Sequence, residues 1–167
     1  RGEDFQAIVD EAKSKAQILD GIVRSRGLAR KIGDGEHLEL EAWLTIGRGY
    51  GYTPKIEWSH RLDDGGWEAR ALVLDATGQE VSSAEAECGT EGDDNWLSKP
   101  SFQQRSMAQT RAVSKSLRLV LSWVVVLAGY KPTPVEEMDG VVPDEKSILW
   151  CKEHKALWFK SKKMRNY

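Results

Sequence analysis

Six basic side chains lie in residues 96–135, and no acid interrupts them. They are Lys99, Arg105, Arg111, Lys115, Arg118 and Lys131, in a chain whose formal net charge is −2. Arg111, Lys115 and Arg118 are separated by four and then three residues, a spacing that puts them on one face of a helix. Closely spaced cations bind a nucleic-acid backbone because they replace and release its condensed counterions. The pattern therefore predicts a nucleic-acid-binding helix, and the alternative is a solvated helix face, which more often alternates its charges.

The remaining candidates for chemistry are weaker. Cys151 and His154 have the two-residue gap of half a zinc site, but no second Cys or His pair follows them. No Gly-x-Ser-x-Gly, Walker-type loop or His-Glu-x-x-His motif occurs. The adjacent acids Asp63 and Asp64 fall in a turn, where carboxylates are usually solvated. We predict a protein that is not an enzyme and that holds no cofactor, with Cys151 and His154 as a weak metal candidate.

The elements that position these residues are those of an α+β protein. Apolar spacing predicts helices over residues 4–23, 38–50 and 101–128, and a short strand over 27–32. Between 53 and 88 the period changes to two, which predicts a three-stranded antiparallel meander. The fold class expected is that meander packed on a long C-terminal helix. The helical pattern stops after Gly129, and Pro132-Thr133-Pro134 indicates an exit from the domain. We therefore divide the chain into a core domain, 1–134, with an N-terminal helix, and a basic aromatic C-terminal appendage, 135–167.

Charge is unevenly distributed along the chain, and no segment suits a membrane. Residues 34–94 hold fifteen acids and four bases, whereas the last seventeen residues hold six bases and one acid. The longest apolar run, residues 123–128, is too short to cross a bilayer. The start of the chain is polar, and two cysteines give no disulfide framework. We therefore expect a cytoplasmic protein.

Two motifs resemble those of a known superfamily. The stretch Thr110-Arg111-Ala112-Val113-Ser114-Lys115-Ser116-Leu117-Arg118 resembles the Thr-x-Ala-x-x-(Lys/Arg)-x-Leu-(Arg/Lys) helix of the single-strand annealing proteins, which include eukaryotic Rad fifty-two and the phage ERF and Sak recombinases. Upstream, Leu40-Glu41-Ala42-Trp43-Leu44 followed by Gly49-Tyr50-Gly51-Tyr52 is similar to the helix and glycine turn before that family's meander. The resemblance covers about residues 20–131 and implies a βαβββα core.

The resemblance also implies a function and a set of binding residues. Lys115 and Arg118 match cations of the inner DNA groove, and Thr110 and Ser114 match their polar neighbours. Arg26 matches a groove arginine before the first strand, with Arg24 or Arg30 as alternative counterparts. To these Arg105 and Arg111 are added from the acid-free stretch.

The activity implied is ATP-independent binding of single-stranded DNA and annealing of complementary strands in homologous recombination and DNA repair. It is carried out by a homo-oligomeric ring or filament in a bacterial host cell, with a phage or host replication or recombination protein as a further possible partner.

Three other interpretations stay open. The first is a monomeric nucleic-acid-binding module, because a helix against a three-stranded meander is also the plan of double-stranded RNA-binding domains. The second is a phage structural or interaction protein whose basic helix meets an acidic partner. The third is a nuclease that uses the acidic turns.

Overall fold

The computed structural model describes residues 4–138, 148–151 and 156–159. Helix α1, Phe5–Arg26, begins where the Asp4 carboxylate accepts a hydrogen bond from the Gln6 amide at 3.1 Å. It ends at Gly27, whose left-handed conformation (φ 66°) favours glycine. Strands β1, Ala29–Ile32, and β2, Gly35–Leu38, then form an antiparallel hairpin, and helix α2, Leu40–Gly49, follows. The sequence predicted β1 but not β2, which is too short and too polar to show a period of two.

Three longer strands form the central sheet. They are β3, Thr53–Arg61, β4, Trp67–Leu74, and β5, Glu80–Cys88, antiparallel in the order β3-β4-β5. The β3–β4 turn requires glycine at residue 66: its φ is 87°, and a Cβ there would lie 2.7 Å from the Cys88 carbonyl oxygen. The meander predicted from the alternating pattern is confirmed.

Two helices complete the chain up to the end of the core. Helix α3, Asp94–Leu97, lies in the loop after β5, and helix α4, Ser101–Leu127, begins directly after Pro100. Small side chains allow α4 to approach the sheet closely, because Ala108 and Ala112 pack against Ala69 and Ala71 of β4. A second cluster joins α1, α2 and the C-terminal half of α4; its buried members include Trp43, Leu19, Leu117 and Leu121. The predicted α+β class, a three-stranded sheet on a long helix, is confirmed.

Beyond α4 the chain turns back over the β1–β2 hairpin. The Lys131 amide donates to the Glu36 carbonyl at 2.9 Å, and His37 Nδ1 lies 2.7 Å from the Thr133 carbonyl oxygen. A 3-10 turn, Val135–Glu137, then packs against α4 with Val135 buried. The appendage predicted to begin at residue 135 therefore starts with residues that contact the core. Farther on, β6, Ile148–Cys151, and β7, Ala156–Phe159, form an antiparallel hairpin.

The exposed surface corrects one expectation about tryptophan. Trp123 was in phase with the apolar residues of α4, which predicts a core position, but it is 42% exposed. It lies on a different side of the helix from the buried Leu121 and Val124, and its ring contacts Tyr50 edge-on at 6.5 Å. No helix of the described residues is both long and apolar enough to span a membrane.

Candidate nucleic-acid interface

Lys115 lies where α4 meets the edge of the sheet. Its ammonium donates to the backbone carbonyl of Glu85 at 3.1 Å, and Glu85 belongs to the edge strand β5. The side chain is half-buried, and none of the described carboxylates forms an ion pair with it. Lys115 therefore presents a positive charge whose nearest hydrogen-bond acceptor is neutral.

Arg118, one helical turn farther along α4, has an acidic partner. Its Nη1 lies 2.9 Å from Oε2 of Glu137, and the two side chains are 27% and 19% exposed. Glu137 belongs to the 3-10 turn Val135–Glu137, which we call the acidic strap. The strap therefore covers part of the helix face that the sequence predicted to be open.

Arg111 corrects the prediction of a single solvent-exposed basic face. Its side chain is only 11% exposed and pairs with Asp93 at 2.7 Å. The same guanidinium donates to the carbonyls of Glu87 and Glu136 at 2.9 and 3.2 Å. Burial acts to raise the pKa of Asp93, but hydrogen bonds from Arg111 and the Gly89 amide outweigh it and leave that pKa below its ordinary value. Arg111 thus ties α4 to the loop after β5 and to the acidic strap.

The two polar neighbours on α4 have different environments. Ser114 is completely buried, and its hydroxyl lies 3.3 Å from Oε2 of Glu136 in the acidic strap. Thr110 is half-buried at the rim of a shallow pocket of about 240 Å³. The pocket is lined by Trp96, Phe102, Gln103, Ser106, Met107 and Thr110. Thr110 can therefore be reached from solvent, whereas Ser114 is reached only when the strap moves.

Arg105 contacts the opposite edge of the sheet from Lys115. Its Nε donates to the Ser59 hydroxyl of β3 at 3.3 Å, and its guanidinium lies 5.3 Å from the centre of the Trp67 ring. The side chain is exposed. Because β3 and β5 are opposite edges of the sheet, the structure does not bring Arg105 into one row with Lys115 and Arg118.

The three arginines near the first strand have separate environments. Arg24 pairs with Asp20 at 3.0 Å, Arg30 pairs with Glu39 at 3.1 Å, and Arg26 is exposed at the end of α1. Glu39 immediately precedes Leu40, whose amide donates to Oε1 of Glu136 at 2.8 Å. A continuous set of contacts therefore runs from Arg30 through α2 and the strap to α4.

The acidic strap is the feature that the sequence did not predict. Burial raises the pKa of Glu136 although the Leu40 amide and the Ser114 hydroxyl act to lower it. Burial also raises the pKa of Glu137 more strongly than Arg118 and Lys115 lower it. The available signal was the position of Glu136 and Glu137, the first two acids after the acid-free stretch.

The part of the chain that the structure describes contains no group of three or more His, Cys, Asp and Glu side chains that could hold a metal ion. His154 lies outside the described residues, and only the backbone of Cys151 is described.

A scan against protein-family models, a search of curated proteins and a search of solved structures each gave no significant match.

Proposed function

We propose that this protein binds single-stranded DNA along α4 and anneals complementary strands without ATP, as a homo-oligomer. The observation that carries the proposal is the composition of α4: all 27 residues of the helix lack an acid, while Lys115 and Arg105 hold cationic heads at its two flanks. An acid-free helix with charges held by neutral acceptors keeps those charges available for phosphates.

Annealing requires that the protein hold a strand in a form that can pair with its complement. No covalent bond of the strand is made or broken. Lysine and arginine contacts to phosphates reduce the repulsion between two strands and carry no base identity. A strand held in an extended form has also lost part of the conformational entropy that pairing would otherwise cost. Side-by-side copies would extend the short basic surface of one α4 into a longer track.

The proposal is tested by light scattering coupled to size exclusion, with the protein alone and with an unstructured thymidine oligonucleotide. We expect an assembly larger than one chain that binds the oligonucleotide and releases it as salt is raised. The same preparation should then accelerate pairing of two complementary oligonucleotides without ATP. A monomer that ignores the oligonucleotide at low salt would rule out the proposal.

A monomeric module for double-stranded RNA is the second candidate. It is favoured by the order of elements, since α2, β3, β4, β5 and α4 form a helix, three antiparallel strands and a helix, with only the four-residue α3 between β5 and α4. An RNA duplex included in the same binding experiment separates the two. Preference for the duplex by a monomer would favour this candidate, and preference for the single strand by an assembly would favour annealing.

A further inference from the structure

The two glutamates of the acidic strap are held in different ways. Glu136 is anchored at both carboxylate oxygens: Oε1 accepts from the Leu40 amide at 2.8 Å, and Oε2 lies 3.3 Å from the Ser114 hydroxyl. The Leu40 amide lies at the start of α2, where an amide has no acceptor within the helix, and the N-cap residue, Glu39, makes no side-chain cap hydrogen bond. Glu136 therefore fixes the strap to α2 and α4 at once.

Glu137 is held by far fewer contacts. Its Oε2 pairs with Nη1 of Arg118 at 2.9 Å, but its Oε1 is buried and has no hydrogen-bond partner among the described residues. A buried carboxylate oxygen without a partner forfeits hydration that the ion pair only partly replaces. The raised pKa of Glu137 agrees with this, because the penalty of burial exceeds the attraction of Arg118 and Lys115.

The Glu137 carboxylate occupies the place at Arg118 where an anion bound by that guanidinium would lie. It lies against Arg118 and close enough to Lys115 for both cations to act on it. Arg118 is 27% exposed, so an anion can approach its guanidinium from solvent. A phosphodiester carries the same charge as a carboxylate and accepts the same charge-assisted hydrogen bonds.

We propose that Glu137 is an internal competitor of DNA, whose carboxylate occupies a phosphate site at Arg118 and must swing away before a strand can bind there. The inference rests on the proposed function and adds its regulation. Glu136 keeps the backbone of the strap in place, so the exchange needs only a rotation of the Glu137 side chain. A single anion forms one contact, with Arg118, and breaks one, the ion pair between Arg118 and Glu137. A strand that also contacts Lys115 forms more contacts than it breaks. The competitor therefore selects for polyanions over single phosphates.

The test compares Glu137→Gln with the wild-type chain in binding an unstructured thymidine oligonucleotide, at a fixed salt concentration. Glutamine keeps the size of the side chain and removes the competing charge. We expect the variant to bind about 3- to 10-fold more tightly, the gain that one like charge removed from a binding surface gives. Asp64→Asn is the matched control, because it makes the same change in net charge at an exposed turn between β3 and β4. The control should bind like the wild-type chain.

Glu137→Ala is measured in parallel, with thermal melting of each variant, so that one misfolded protein does not decide the result. Tighter binding by either folded variant, without a gain in Asp64→Asn, supports the competitor. If the wild-type chain binds the oligonucleotide and the folded variants bind it no more tightly, the proposal that Glu137 competes with DNA is wrong and the proposed function stands. If neither the wild-type chain nor the variants bind the oligonucleotide at low salt, both the proposed function and the proposal that Glu137 competes with DNA are wrong.

Discussion

Arg111 and Asp93 form the most buried ion pair among those of the described residues, with Nη1 and Oδ2 2.7 Å apart and side chains 11% and 13% exposed. Asp93 also accepts from the Gly89 amide at 3.0 Å, so one carboxylate joins α4 to both ends of a short loop. Removing one member of such a pair leaves the other charge buried without compensation. Arg111 is therefore expected to contribute to stability more than to binding.

Arg111→Met tests this assignment. Methionine fills a similar volume but leaves Asp93 unpaired, and we expect the free energy of unfolding to fall by about 3 kcal/mol. Urea denaturation followed by circular dichroism measures the change. Arg105→Met is the matched control, since Arg105 is exposed on the same helix, and it should change stability by less than about 0.5 kcal/mol. Equal effects of the two substitutions would contradict the structural role of Arg111.

Glu137 and Asp93 should give opposite pH dependences of stability. Burial raises the pKa of Glu137 above its ordinary 4.5, so the stability it contributes is fully present below 4.5 and is lost as pH rises through the folded-state pKa. Glutamine does not titrate. The unfolding free energy of Glu137→Gln relative to wild type should therefore rise across that window, as measured by urea denaturation at about pH 4 and about pH 7.

Asp93→Asn supplies the opposite sign at lower pH, in urea denaturation at about pH 2 and about pH 4, because the stability contributed by Asp93 changes only below 3.8. The pKa of Asp93 lies below its ordinary 3.8, so its contribution is present above 3.8 and is lost as pH falls through the folded-state pKa. The unfolding free energy of Asp93→Asn relative to wild type should fall as pH rises. Parallel curves for the two variants would show that one of the two pKa directions is wrong.

Tyr130 links the end of α4 to α1. Its hydroxyl donates to Oδ1 of Asp20, which also pairs with Arg24. Burial and then the Asp20 carboxylate raise the pKa of Tyr130 to about 12. Tyr130→Phe should lower the free energy of unfolding by about 1 kcal/mol, the usual contribution of one hydrogen bond. Tyr52→Phe is the control, because Tyr52 is only half-buried, and a larger loss there than at Tyr130 would contradict the expectation.

The sequence was sufficient for the elements that have a strong period of their own. Alternation in residues 53–88 predicted the meander, and Pro100 followed by a helical stripe predicted the start of α4. The hairpin strand β2 was missed because Gly35-Glu36-His37-Leu38 carries only one apolar side chain. Its pairing with β1 and the returning chain at Lys131 hold it in place, and neither contact is local.

The environments of the helix cations could not be read from their spacing. Arg111 and Lys115 are one turn apart and look equivalent on α4, yet Arg111 pairs with Asp93 from the loop after β5, whereas Lys115 donates to the backbone carbonyl of Glu85. Ser114 is covered by Glu136, a residue 22 positions away. The resemblance matched Ser114 to a polar neighbour of the groove cations and implied nothing about its burial. The burial of Ser114 and the partners of the two cations arise from tertiary contacts, which helical periodicity does not encode. DNA binding by Lys115, Arg118, Thr110 and the remaining residues of the candidate interface stays a prediction.

Lys115→Gln tests the proposed interface most directly, because Lys115 lies between Arg111 and Arg118 on α4 and, unlike those two, forms no ion pair with a described carboxylate. Loss of one phosphate contact should weaken binding of a thymidine oligonucleotide and reduce the slope of log affinity against log salt by about 0.7. Lys55→Gln is the matched control: Lys55 is exposed on β3 beside Ile56, which packs toward α4, so its own side chain points away from the helix. Fluorescence anisotropy at several salt concentrations measures both variants. A salt slope that falls equally in the two would show general charge attraction and place the binding surface elsewhere than α4.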